Sequence, residues 1–205
     1  MSNMVYGNYY DKHSSRNPLT RFLMDGFRKN WLELFAEVKG WSPEWRILEV
    51  GCGDGQFLRW YTDSLKHEGM VVGLDPGLDV LAAGRGMTGL ESMINGSIYE
   101  LPFCDNEFEI VVVPEVFEHL ENPGVGLDEV ARVASRYVVA SVPWEPMWRI
   151  ANMMRGAYLG DLGNTPGHIQ HFSRRGFISF MESRLSIRSV RTPFPWTQVI
   201  GEIKP

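Results

Sequence analysis

Between positions 49 and 75 the chain places residues that could hold a ligand. Glu49, Gly51, Gly53 and Gly55 alternate with single residues in Glu49-Val-Gly-Cys-Gly-Asp-Gly55, and Asp75 follows 24 residues after Gly51. Glycines permit a tight strand-to-helix turn and let a ligand approach the backbone. A dinucleotide fingerprint needs G-x-G-x-x-G, and Gln56 stands where its third glycine would be. A phosphate loop needs a Gly-Lys-Ser/Thr ending, which this stretch lacks. A carboxylate at position 49 would repel a pyrophosphate but suits an ammonium group. A carboxylate ending the next strand accepts hydrogen bonds from ribose hydroxyls. An acid for an amine, glycines for close approach and an acid for a ribose together describe S-adenosylmethionine (SAM). That ligand has a sulfonium, an amino-acid end and no phosphate. Taken singly, the glycines could make a plain turn and Asp75 could cap a helix; the combination carries the reading.

These residues need elements to position them. Leu19, Phe22, Leu23, Phe27, Trp31, Leu34, Phe35 and Val38 recur at helical spacing, which predicts a first helix from Leu19 to about Val38. Pro18 precedes it, and Gly40 and Pro43 end it. Strands are expected at Arg46–Gly51, Met70–Asp75, Ile94–Ser97, Phe108–Val113 and Tyr137–Val142, with helices at Gly55–His67, Leu78–Arg85 and Gly124–Ser135. The strands are apolar runs rather than alternating ones, as in a parallel sheet covered on both faces. Alternation of strand and helix predicts a doubly wound α/β fold. A helix at Arg174–Ser183 then precedes strands at Leu185–Arg191 and Thr197–Ile203, whose short connection makes them antiparallel neighbours. In such sheets ligands sit beyond the carboxyl ends of the strands.

The 205 residues suit one domain, since single cores stop growing at roughly 250–300 residues. A net charge of −5 argues against a nucleic-acid partner gripped through phosphates. The two cysteines, Cys52 and Cys104, make neither a disulfide framework nor a four-thiolate zinc site, so a cytoplasmic setting is expected. There is no apolar signal segment and no run of about 18 apolar residues to span a membrane.

The motifs resemble those of class I SAM-dependent methyltransferases of the small-molecule type, which includes the ubiquinone and menaquinone methyltransferases. Leu48–Gly55 is similar to that family's first motif and Gly73-Leu-Asp75 to the end of its second strand. Leu101-Pro-Phe-Cys-Asp-Asn-Glu-Phe-Glu-Ile-Val111 and Pro114-Glu-Val-Phe-Glu-His-Leu120 resemble its later segments. The resemblance implies a Rossmann-like, mostly parallel seven-stranded sheet with an antiparallel last strand and helices on both faces. It implies that Glu49, Gly51 and Gly53 line the methionine end, Asp75 holds the ribose, Ser97 and Ile98 flank the adenine, and the Pro114 carbonyl lies beside the sulfonium. Cys52 and Pro76 belong to the same cofactor-binding set. Ser97 departs from an Asp common among relatives and is a weaker acceptor for the adenine amino group.

Methyl transfer from a sulfonium is an in-line displacement in which the protein positions, excludes water and, where needed, removes a proton. His119 is the first candidate base, because imidazole titrates near neutrality, although it could simply anchor its loop. Glu115 is the second candidate. His168 and His171 lie at i and i+3 but lack further Cys or a clustered carboxylate in the sequence, so no metal is expected; they are read, with Trp144 and Trp148, as acceptor-side residues. Trp144–Gly163 carries an apolar helical face beside Arg149 and Arg155: a lid over an apolar or lipid-like acceptor, an interfacial helix, or a core-packed helix. The chain is thus read as one domain over 1–205, with residues 1–43, including Tyr6, Tyr9 and Tyr10, as a helical cap and 144–168 as a lid or substrate region. The leading expectation is methyl transfer to a small molecule. A catalytically silent SAM-binding module is the alternative. An NAD-dependent oxidoreductase is opposed by Glu49 and Gln56.

Overall fold

The structure, a computed structural model, describes residues 17–88, 92–154, 156 and 158–204. Tyr6, Tyr9, Tyr10, Arg155 and Ala157 lie outside the described residues. Seven strands form one sheet: β1 (Ile47–Val50), β2 (Val71–Asp75), β3 (Met93–Asn95), β4 (Phe108–Pro114), β5 (Ala134–Pro143), β6 (Leu185–Arg191) and β7 (Trp196–Ile203). Their order is β3-β2-β1-β4-β5-β7-β6. The first five pair in parallel, and β7 runs antiparallel to both β5 and β6. The expected doubly wound, mostly parallel sheet with an antiparallel last strand is the observed one. The order reverses direction at β1 and β4, and ligands of doubly wound sheets lie at that switch point.

Among the described residues six α-helices cover the sheet: α1 (Pro18–Ala36), α2 (Gln56–Ser64), α3 (Leu78–Thr88), α4 (Pro123–Val133), α5 (Met147–Met154) and α6 (Arg174–Glu182). Asn17 caps α1, its side chain accepting from the backbone N–H of Leu19 and Thr20, and Pro18 occupies a position where its missing N–H costs nothing. Phe27, Trp31, Leu34 and Phe35 of α1 pack with Phe57 and Tyr61 of α2 over Ile110, Val112, Val139 and Ile200. On the opposite face Leu127 and Val130 of α4 and Phe177 and Met181 of α6 cover Val111, Val113, Val138 and Val199. Burial on both faces explains why the central strands read as unbroken apolar runs.

Four expectations shift. Leu19 and Phe22, counted on the apolar stripe of α1, are exposed, because the buried stripe starts one turn later at Met24. α4 ends at Val133 rather than Ser135 and runs without a loop into β5; Ser135 Oγ donates to the Phe108 carbonyl of the neighbouring strand. β3 ends at Asn95, where the Gly96 N–H turns to the Asp75 carbonyl, so Ser97 lies in a turn. The continuous helical face expected over Trp144–Gly163 is interrupted: α5 stops at Met154, and Gly156, Tyr158, Leu162 and Gly163 all adopt positive φ.

The Leu101–Asp105 stretch is held by a brace. Arg132, in the last turn of α4, donates to the carbonyls of Leu101 and Phe103 and to the Asp105 and Glu129 carboxylates, while Glu129 accepts from the Leu101 N–H. This holds the connection between β3 and β4 against the sheet. Among the described residues, no helix is long and apolar enough to cross a membrane.

Candidate active site

The glycine loop closes between β1 and α2. Gly51, Gly53 and Gly55 all adopt positive φ, at 77°, 55° and 76°. A side chain at Gly51 would meet Val116, from the loop after β4, at 2.4 Å, so two strand ends converge there. Asp75 is the tie: its Oδ2 accepts from the Gly53 N–H at 2.9 Å and its Oδ1 from the Gly77 N–H at 2.7 Å. Asn95 bonds the carbonyls of Asp75 and Pro76, steadying that turn. The Cys52 backbone N–H goes to the Leu74 carbonyl, and its side chain is packed with Leu81 and Met93. Burial pushes that thiol up, so it is inert, and Cys52 brings no polar side chain to a ligand. Pro76 and Ser97 are exposed, Ser97 Oγ accepting from the Tyr99 N–H, while Ile98 is buried against Gly126.

Glu49 is buried on β1, one strand from Gly73. Burial pushes its carboxyl well up, the Tyr61 hydroxyl opposes this, and the Asp75 and Asp54 charges add to it. Its Oε2 has no hydrogen-bond partner among the described residues. A buried acid whose charged form is disfavoured by burial, beside glycines that admit a close ligand, fits a cationic group. The residues therefore fit SAM, a ligand that carries both an ammonium group and a ribose.

The second half of the site lies after β4. Pro114 pairs with Ser141 of β5, and Glu115, with φ 53°, donates its N–H to the Ser141 carbonyl. The Trp196 indole N–H donates to Glu115 Oε1, tying β7 to this turn. A single helical turn at Phe117–His119 follows. His119 Nδ1 donates to the Gly167 carbonyl at 2.9 Å. The His119 and His168 rings meet edge-on at 4.9 Å. His168 also lies on the Trp148 indole, which abuts Trp196. His119, His168, Trp148 and Glu115 are thus gathered. Trp144 and His171 are not among them. The Trp144 ring is occupied by Arg174, 3.5 Å over its face. His171 bonds Asn164 and lines an open cleft of ≈ 560 Å³ with Arg149, Asp161, Leu162 and Pro166. The missing clustered carboxylate, on which the expectation of no metal rested, is supplied in space: Glu118 joins His119 and His168.

Residues 48–137 match the methyltransferase domain family. A demethylmenaquinone methyltransferase of Renibacterium salmoninarum is 31% identical over 108 residues, covering 53% of this chain and 44% of that protein. A 2-phytyl-1,4-naphthoquinone methyltransferase of Synechocystis is 30% identical over 121 residues, covering 56% and 51%. A solved magnesium protoporphyrin IX methyltransferase of Synechocystis, with S-adenosylhomocysteine bound, superposes with a TM-score of 0.68 at 13% identity, covering 97% of this chain and 91% of that one. Over residues 48–137 the chain is thus similar to the methyltransferase domain family, and its fold is that of solved SAM-dependent methyltransferases. It spans between a third and about half of the length of the curated relatives it matches.

Some residues were not legible in the sequence as site residues. Trp196 and Glu118 reach the site only through pairing of distant segments. Gly84 of α3 could not be found at all from spacing: a Cβ there would lie 2.3 Å from the Asp54 carbonyl oxygen. α3 thus presses directly on the glycine loop. Gly84→Ala must push helix and loop apart, and overpacking of this kind costs about 1–3 kcal/mol. At roughly 2–4 °C per kcal/mol for this size, the expected fall in Tm is about 2–12 °C. Thermal unfolding checks it, with weaker SAM binding as the accompanying loss; an unchanged Tm contradicts the packing argument.

Proposed function

We propose that this domain transfers a methyl group from SAM to a small, ring-type acceptor of quinol character. The reading is carried by the buried Glu49, with an oxygen unpartnered among the described residues, set beside the three positive-φ glycines and Asp75. The names of the quinone-modifying relatives support the acceptor class. Bound SAM supplies an activated methyl group whose sulfur leaves as a neutral thioether. Glu49, Gly51 and Gly53 orient the methionine end and Asp75 the ribose, with Ser97 and Ile98 toward the adenine. The Pro114 carbonyl faces the sulfonium side. His119 takes the acceptor proton: its Nδ1–H is committed to Gly167, so Nε2 is the accepting nitrogen. Glu115, fixed by Trp196, shapes the floor between donor and acceptor. α1 and the 144–168 segment exclude water from above, with Trp148 and His168 as the acceptor-side wall.

The test is release of S-adenosylhomocysteine by purified protein supplied with SAM and a panel of reduced naphthoquinones, benzoquinols and simple phenols. Turnover with a ring acceptor is expected. His119→Asn should lower kcat by about 10²–10⁴-fold, the usual worth of a general base, while SAM affinity stays within a few-fold. Saturable SAM binding with no turnover on any acceptor would instead favour a binding module.

A further inference from the structure

Glu118, His119 and His168 each offer a ligating atom, and these atoms all lie within 4.8 Å of one another. They come from two segments far apart in the chain, the turn after β4 and the return from α5. The N–H groups of Ile169 and Gln170 both donate to the Glu118 carbonyl at 2.9 Å, clamping the two segments together. Glu118 and His168 are buried and His119 is half-buried. The His119 Nδ1–H bond to Gly167 fixes the tautomer and presents Nε2; metal-ligating imidazoles are commonly oriented by such an outer hydrogen bond. The His168 ring is held by the Trp148 indole at 6.0 Å, whose N–H donates to Thr165 Oγ1 at 2.9 Å. Both imidazoles are therefore placed by a second layer of contacts.

Two imidazoles and one carboxylate are a borderline donor set, suited to zinc and its divalent neighbours rather than to calcium or magnesium. Bonds of about 2.0–2.1 Å put the ligand atoms of a tetrahedral site roughly 3.3 Å apart. To hold an ion the ligand atoms must draw together by at most about 1.5 Å. We infer that Glu118, His119 and His168 bind one divalent transition-metal ion of the zinc type, with a coordination position left for water or an acceptor oxygen. Ion binding itself does not depend on the methyl-transfer reading. Its role does: in the metal-loaded protein the ion would hold His119 Nε2 and assist ionisation of the acceptor, the proton passing to solvent, whereas proton transfer to His119 Nε2 belongs to the metal-free protein.

The experiment uses the full, tag-free chain, stripped with chelator and dialysed against Zn²⁺. One equivalent per chain is expected by metal analysis. With Co²⁺, visible absorption bands of a low-coordinate site should appear. Indole fluorescence should be quenched, a change that Trp148→Phe diminishes. His168→Asn and Glu118→Gln should each weaken binding by more than ~100-fold, beyond what an outer-layer contact is worth. Both should still unfold cooperatively and bind SAM. His171→Ala should bind the ion like the parent. The inference is overturned if the folded parent holds no stoichiometric metal, or if His168→Asn holds as much as the parent. Because SAM binding is titrated separately, failure of the methyl-transfer reading and failure of the metal site are distinguishable.

Discussion

Asp75→Ala is expected to raise the SAM Kd by at least ~100-fold, about 2.8 kcal/mol at 1.4 kcal/mol per decade. Two losses combine. The ribose loses its acceptor, and the glycine loop loses its tie, because one Asp75 oxygen holds the Gly53 N–H and the other the Gly77 N–H. Hydrogen bonds to a charged group contribute about 1.5–3 kcal/mol each when buried, so the half-buried pair together should contribute on the order of 2–4 kcal/mol to stability. At roughly 2–4 °C per kcal/mol, Tm should fall by about 4–16 °C. Isothermal titration well below the variant's Tm separates the two effects. Asp75→Asn should fall between, since its amide accepts through one oxygen only and cannot serve both N–H groups. Parent-like affinity in a folded Asp75→Ala protein would remove Asp75 from the cofactor site.

Glu49→Gln is expected to move stability and affinity in opposite directions. In the ligand-free protein the Glu49 carboxyl is pushed well above its ordinary value of 4.5, chiefly by burial. The folded state then holds this proton more tightly than the unfolded chain. Stability from this group is full below about 4.5 and falls as pH climbs toward the raised folded-state value, levelling off beyond it. Gln carries no charge to bury, so the variant should have the higher Tm at neutral pH, and its Tm should vary less between pH 5 and 8. SAM affinity should drop by about 10–100-fold, as a charge-assisted contact worth roughly 1.5–3 kcal/mol is lost.

A proton count gives the same argument a second readout. An ammonium beside Glu49 lowers its carboxyl again, so binding should release a proton wherever the free protein holds one. The binding enthalpy of the parent should then depend on the buffer's ionisation enthalpy, and that of Glu49→Gln should not. A parent with buffer-independent enthalpy and a destabilised Gln variant would show that Glu49 is ionised and satisfied before the ligand arrives.

How far the linear chain reveals this protein differs between its two halves of the site. The cofactor corner is local: Glu49 to Gly55 is one strand and one turn, and Asp75 ends the neighbouring strand. A contiguous run of residues with a fixed strand period must fold that way for the glycines to adopt positive φ, so residue type and spacing alone point to the ligand. The α/β alternation is legible for the same reason, since strands buried on both faces must be apolar throughout. The ends of elements were less legible. The helix expected through Ser135 stops at Val133 because Phe108 on the adjacent strand claims the chain, a contact that propensity does not contain.

The acceptor corner was decided only by tertiary structure. Trp196 meets Glu115 across 81 positions, and Gly167 meets His119 across 48. Read along the chain, His168 pairs with His171 three residues away. In the fold these two part company, His171 joining Asn164 while His168 joins His119 and Glu118. The Trp144 ring packs against Arg174 instead. The residue types were visible from the start, but which of them share a volume depends on how β5, β7 and the 144–168 segment stack over the switch point. That arrangement is set by burial summed across the whole sheet, which no local stretch of sequence encodes.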